Sequence, residues 1–231
     1  MYILGMQKTS LLDYPGKTAT VLFTGGCNFR CPYCHNGELV LSADIMEAYS
    51  EEEVFSHLRK RKNVLEGVVI TGGEPTLQPD LKEFIAGVKD IGYMVKLDTN
   101  GTDTEKVRDI MSAGLIDYIA MDIKNSFAKY QNTIGRDIDY ETVIKSSIDL
   151  IMKSHVPYEF RTTVTKEHHT PDDIEDIARV ISGAEHYYIQ PYKETDTVIA
   201  PGLHRPEDEV LYEMERRARR YVATASLRGD I

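Results

Sequence analysis

Thr24-Gly25-Gly26-Cys27-Asn28-Phe29-Arg30-Cys31-Pro32-Tyr33-Cys34-His35-Asn36 contains all three cysteines of the 231-residue chain, spaced C-x3-C-x2-C. A cluster this tight needs a chemical reason. A short loop that bends three thiolates inward suits an iron–sulfur cluster, for which cysteine is the usual ligand. Three ligands leave one iron of a four-iron cube open, and an open metal position serves chemistry, as in catalytic zinc sites. His35 follows Cys34 directly, so a Cys3His structural zinc is the competing reading, although adjacent side chains rarely turn onto one metal. Three unrelated free thiols are the blandest reading. A disulfide scaffold is excluded, because the cysteine count is odd, the chain is long and no secretory signal precedes it.

The residues on either side place this loop in a fold. Residues 2–12 read as short extended segments, followed by a turn at Asp13-Tyr14-Pro15-Gly16. Thr18–Phe23 predicts a first strand that ends at the glycines opening the cysteine loop. Strand and helix then alternate. Ser50 and Glu53 predict a capping box for a helix with Val54, Phe55 and Leu58 inward, and Gly67–Ile70 is a continuously apolar strand. Leu81, Phe84, Ile85 and Val88 mark a helix stopped by Gly92, before a strand over 93–97. A helix through Val107, Ile110 and Met111, a strand over 118–121, a helix over about 140–154 and a strand over 158–164 follow. Thr170-Pro171 starts another helix, 186–190 is the sixth strand, and a last helix spans about 206–222.

This alternation predicts parallel strands with right-handed crossovers. Six units are fewer than the eight of a closed barrel, so the expected fold is α/β: a partial (βα)6 TIM-like barrel with a lateral opening. We expect a single domain over 1–231, with a core at about 11–192 and a C-terminal helical extension at about 203–231. In such folds function sits after the C-terminal ends of the strands. The unusual motifs fall there: the cysteine loop, Gly72-Gly73-Glu74-Pro75, Asp98-Thr99-Asn100-Gly101, and Asp122 with Lys124. The glycine pair lets a ligand approach the backbone, or is a plain tight turn. Asp98 and Thr99 point polar groups into the mouth. Asp122 and Lys124, two apart on a strand, share a face. Arg161 pairs with a carboxylate, either in the site or as a structural salt bridge. His35, His168 and His169 have no identifiable partner in the sequence.

The totals bound the rest. Hydrophobic residues make up 42% and charged residues 28%, as in an ordinary globular protein, and 37 acidic against 27 basic residues give a net charge of -10. That balance argues against general affinity for nucleic acid or an anionic membrane. No apolar run approaches a membrane span, and the N-terminus lacks a charged region and cleavage site, so cytoplasmic residence is expected.

The C-x3-C-x2-C loop with Tyr33 before its last cysteine, together with Gly-Gly-Glu-Pro, resembles the radical S-adenosylmethionine (SAM) enzymes. Within them, residues 24–36 look most like the glycyl-radical-enzyme activating group, closest to the anaerobic ribonucleoside-triphosphate reductase activating proteins. The similarity runs from about Leu11 to Tyr192. The resemblance implies a 4Fe–4S cluster on Cys27, Cys31 and Cys34, with SAM chelating the fourth iron. Tyr33 would meet the adenine, and Gly73 and Glu74 the methionine amino group. Asp98, Asp122 and Lys124 would line the rest of the cofactor site. Related activases carry a His after the Pro-Tyr that follows the sixth strand; here that position is Lys193. No extra cysteines are present, so no second cluster or zinc is expected.

The implied reaction is reductive cleavage of SAM to a 5′-deoxyadenosyl radical, which abstracts a glycine Cα hydrogen on anaerobic ribonucleotide reductase. A low-potential donor such as flavodoxin or ferredoxin would supply the electron. The competing readings are a pyruvate formate-lyase-type activase, a radical SAM enzyme acting on a small-molecule metabolite, a non-catalytic iron–sulfur electron carrier, and a zinc-binding interaction module.

Overall fold

In the computed structural model, which describes residues 1–229, eight strands form one sheet in sequence order. β1 (Ile3–Ser10) runs antiparallel to β2 (Ala19–Thr24). From β2 onward every neighbour is parallel: β3 (Gly67–Gly72), β4 (Met94–Thr99), β5 (Tyr118–Asp122), β6 (Tyr158–Val164), β7 (His186–Pro191) and β8 (Thr224–Leu227). The helices are α1 (Gly37–Leu41), α2 (Glu51–Arg61), α3 (Leu81–Ile91), α4 (Thr104–Ser112), α5 (Tyr130–Ile134), α6 (Glu141–Met152), α7 (Pro171–Val180) and α8 (Asp208–Ala218). The sheet is open, with β1 and β8 as its edges.

The six predicted parallel strands are β2–β7, and the partial-barrel architecture is as expected. Two ends differ from the sequence reading. The extended segments of residues 2–12 are one strand, and the region read as a C-terminal helical extension holds a seventh parallel strand, β8, after its helix. The sheet therefore reaches past the expected 11–192 core on both sides. A four-residue strand such as Thr-Ala-Ser-Leu is too short for alternation to register.

Local chemistry explains the boundaries. Ser50 and Glu53 form the predicted capping box on α2, and Thr170 with Asp173 forms another on α7, where Pro171 takes the first position. Gly92 ends α3 in the left-handed conformation at φ 95°. Along each parallel strand alternate side chains point outward to the helices or inward to the concavity. Leu22, Ile70, Leu97, Ile119, Phe160 and Ile189 are fully buried in the outward layer. A smaller inward cluster, Tyr14, Ala19, Val21 and Val69, fills the β2–β3 side of the concavity.

Candidate active site

A cavity of about 470 Å³ lies at the C-terminal ends of the strands, within the usual range for small-molecule sites. Its lining brings together every residue singled out from the sequence as a candidate: Cys27, Tyr33, Cys31 and Cys34 of the first loop, then Gly73 and Glu74, Asp98, and Asp122 with Lys124. Arg161 also lines it.

Hydrogen bonds across three loops hold the cysteine loop in place. Asn36 Nδ2 donates to the Gly72 carbonyl (2.8 Å), Asn100 Nδ2 to Asn28 Oδ1 (2.8 Å), and Asn28 Nδ2 to Thr102 Oγ1 (2.9 Å). Gly73 is needed for a closer contact than ligand approach alone requires, since a Cβ there would lie 1.9 Å from the Gly26 carbonyl oxygen. The glycine pair therefore locks the first two loops against each other. Glu74 is 1% exposed and its carboxylate accepts from Thr76 N and Oγ1, Thr99 Oγ1 (2.8 Å) and Asn100 N (2.7 Å). Its carboxylate thus ties the second loop to the third, and Gly72, Gly73 and Glu74 line the cavity. Burial raises its pKa despite these donors.

Opposite the cysteines runs a chain of ion pairs on the inward positions of β4–β6. Arg161 bridges Asp122 through Nε (2.8 Å) and Asp98 through Nη1 (3.1 Å), while Lys124 Nζ meets Asp122 Oδ2 at 3.1 Å. Lys96, 2% exposed, takes the other oxygen of Asp98. Burial alone would raise the carboxyl pKa values, but Arg161 outweighs it, with Lys124 on Asp122 and Lys96 on Asp98, and holds both below the ordinary range. Asp122 and Lys124 share a face, as the spacing predicted, and Arg161 serves as a salt bridge inside the site.

The donor set suits an iron–sulfur cluster. All three cysteines are free thiols. Burial pushes Cys27 up to about 11 and Cys31 up to about 12, and raises Cys34, while the Lys124 ammonium favours the thiolate at each. Phe29 N–H already donates to Cys27 Sγ at 3.3 Å, the kind of N–H···S contact that tunes such clusters. His35 is not aimed at the cysteines. Its ring stacks on Tyr192 (5.5 Å, 13°), and its Nε2–H donates to the Lys193 carbonyl (2.6 Å). A Cys3His zinc site would require that ring to leave its partners.

Two roles were missed from the sequence. His169, 3% exposed, accepts from Thr165 N at Nδ1 (3.1 Å) and donates from Nε2 to the Lys124 carbonyl (2.8 Å). Tyr33 Oη donates to the same carbonyl (3.2 Å), so both residues position Lys124. The second is the segment after β7, which straps the cysteine loop. Thr197 accepts from Gly37 N, Ile199 N donates to the Cys34 carbonyl, and Ala200 N donates to the Pro32 carbonyl at 2.8 Å. These partners lie far apart in sequence, and no local periodicity announces them.

Residues 21–181 match the model of the Radical SAM superfamily. Two proteins of Methanocaldococcus jannaschii that carry the provisional name glycyl-radical enzyme activating enzyme are similar along most of the chain. One is 35% identical, covering 98% of this chain and 95% of its own length. The other is 27% identical, covering 90% and 80% respectively. The crystal structure of Streptococcus suis SuiB bound to S-adenosylmethionine superposes with a TM-score of 0.66 at 13% identity, covering 88% of this chain. This chain spans about half of that longer one (48%), and at such identity the likeness is one of fold.

Proposed function

The chain belongs to the Radical SAM superfamily, and we propose that it is an activase that generates a glycyl radical on a partner enzyme, anaerobic ribonucleoside-triphosphate reductase. It is an enzyme of radical chemistry, and the cofactors of its family are a 4Fe–4S cluster and SAM. When bound, these supply a one-electron cleavage whose carbon radical removes a hydrogen atom. The observation that carries the activase reading is the near end-to-end similarity to a relative named for that role.

In this reading Cys27, Cys31 and Cys34 hold the cluster, and Tyr33 meets the adenine. Gly73 and Glu74 meet the methionine amino group with main-chain rather than side-chain oxygen, because the Glu74 carboxylate is taken up by Thr76, Thr99 and Asn100. Lys124 offers its ammonium to an anionic group. Asp98 and Asp122 stay ionised against Arg161, which keeps the polar wall preorganised rather than remade at each turnover. The open edge of the sheet between β1 and β8 suits entry of a glycine-bearing loop, whose unhindered Cα fits a narrow mouth. A flavodoxin or ferredoxin would deliver the electron. We read residues 1–231 as one domain that works in the cytoplasm; among the described residues, no helix is long and apolar enough to cross a membrane.

The test is anaerobic reconstitution with iron and sulfide, then dithionite and SAM, with chromatography for 5′-deoxyadenosine. Adding the reductase should give a glycyl radical by electron paramagnetic resonance. Cys31→Ala should abolish both signals. Intact SAM under strong reduction, or cleavage retained in that variant, would overturn the assignment.

A further inference from the structure

Two arginines grip the cysteine loop without lining the cavity. Arg30 Nη1 donates to the carbonyls of Cys27 (2.6 Å) and Phe29 (2.7 Å), and Arg136 Nε donates to the carbonyl of Asn28 (3.0 Å). Arg136 reaches the loop because α5 ends at Gly135 in the left-handed conformation, φ 61°. A Cβ at Gly135 would lie 2.7 Å from the Arg30 carbonyl, and Arg30 N–H donates to the Ile134 carbonyl at 2.7 Å. The two guanidinium groups are therefore fixed over one surface of the loop.

Their charge sets them apart. The chain carries a net charge of -10, and most of its arginines pair with carboxylates, as Arg161, Arg217 and Arg228 do. Among the described residues, Arg30 and Arg136 are in no ion pair. Arg30 has Nε and Nη2 to spare, and Arg136 has both of its Nη groups. Such planar forks take carboxylates in bidentate fashion. Ile138, 49% exposed, adds an apolar contact two residues beyond Arg136. The neighbouring Asp137 and Asp139 are exposed and pair with neither arginine.

We propose that Arg30, Arg136 and Ile138, which lie outside the cavity lining, form the docking face for a small acidic one-electron carrier protein. This rests on the radical SAM reading, which needs one electron per cleavage event. The carrier is oxidised by one electron and the cluster on Cys27, Cys31 and Cys34 is reduced by one; no proton or leaving group moves. Complementary charge speeds such encounters and makes them salt-dependent.

The test uses the cluster-loaded full chain and an acidic bacterial-type ferredoxin as probe. Ile138→Glu, which places a like charge on the exposed apolar position of the face and breaks no bond to the loop, should weaken ferredoxin binding by about tenfold in calorimetry at low ionic strength. It should lower ferredoxin-driven formation of 5′-deoxyadenosine while leaving the dithionite-driven rate unchanged. Asp137→Lys, which leaves every bond to the loop intact, should tighten binding. Ferredoxin affinity unmoved by both variants would overturn the proposal, as would an equal fall in the two rates with Ile138→Glu. So would selective loss of glycyl-radical formation under dithionite, which would assign the face to the protein substrate. If the wild-type protein binds ferredoxin but leaves SAM intact, the functional reading fails while the binding results still decide the docking face.

Discussion

On the outward face of the sheet, Leu22, Ile70, Leu97, Ile119, Phe160 and Ile189 pack without exposure against the helices. On the inward face of the same strands, the intervening positions carry Lys96, Asp98, Asp122, Glu159 and Arg161, joined in ion pairs. A closed barrel fills its interior with layers of branched apolar side chains. Here only the β2–β3 side does so, with Ala19, Val21 and Val69. The difference separates tasks by strand parity. Outward positions hold the sheet to its helices, and inward positions keep a polar wall charged in a place where charge is costly unless paired.

That division is open to attack. The largest effect should come from Arg161→Ala, which leaves Asp98 and Asp122 buried without their shared cation. We expect a loss of about 3–5 kcal/mol in denaturant unfolding together with weakened SAM binding in calorimetry. Leu97→Ala, next to Asp98 but on the opposite face of β4, should cost about 2–5 kcal/mol from the cavity it leaves while SAM affinity of the folded protein stays unchanged. Comparable loss of affinity in both variants would erase the distinction.

His169 sharpens the comparison through pH. Burial, chiefly, pushes its pKa down to about 4, whereas an unfolded histidine titrates near 6.5. The unfolded state therefore binds a proton that the native ring refuses. The contribution is fully present above about pH 6.5 and is lost as pH falls toward 4, with a ceiling of about 3 kcal/mol. Urea unfolding across that range should show the wild type losing more stability than His169→Gln. The smallest effect should be that of Tyr93→Phe, which removes a buried bond to the Leu58 carbonyl (2.8 Å) far from the cavity. It should cost about 1 kcal/mol and leave SAM binding intact.

Much of this was legible in the sequence because it is written locally. The strand–helix alternation from Ala19 to Gln190 rests on apolar periodicity, on the Ser50 and Thr170 caps and on the Gly92 stop. The candidate residues converged because each follows a parallel strand, and topology puts such loops at one end. What stayed hidden depends on distant pairing. β8 is defined by its partner β7 rather than by its own four residues. His169 gains meaning only from the Lys124 carbonyl, and His35 only from Tyr192. The Glu74 carboxylate reads as a ligand group until its four donors are seen.

The strap after β7 has a consequence for biogenesis. Pro32, Cys34 and Gly37 bond to backbone groups of residues 197–200, which a ribosome delivers last among these partners. A nascent chain with its thiols already outside the exit tunnel still lacks the segment that shapes their loop. Iron and sulfide offered at that moment would meet an unfastened loop, so the thiols are expected to take a cluster stably only after residues 197–200 have joined them.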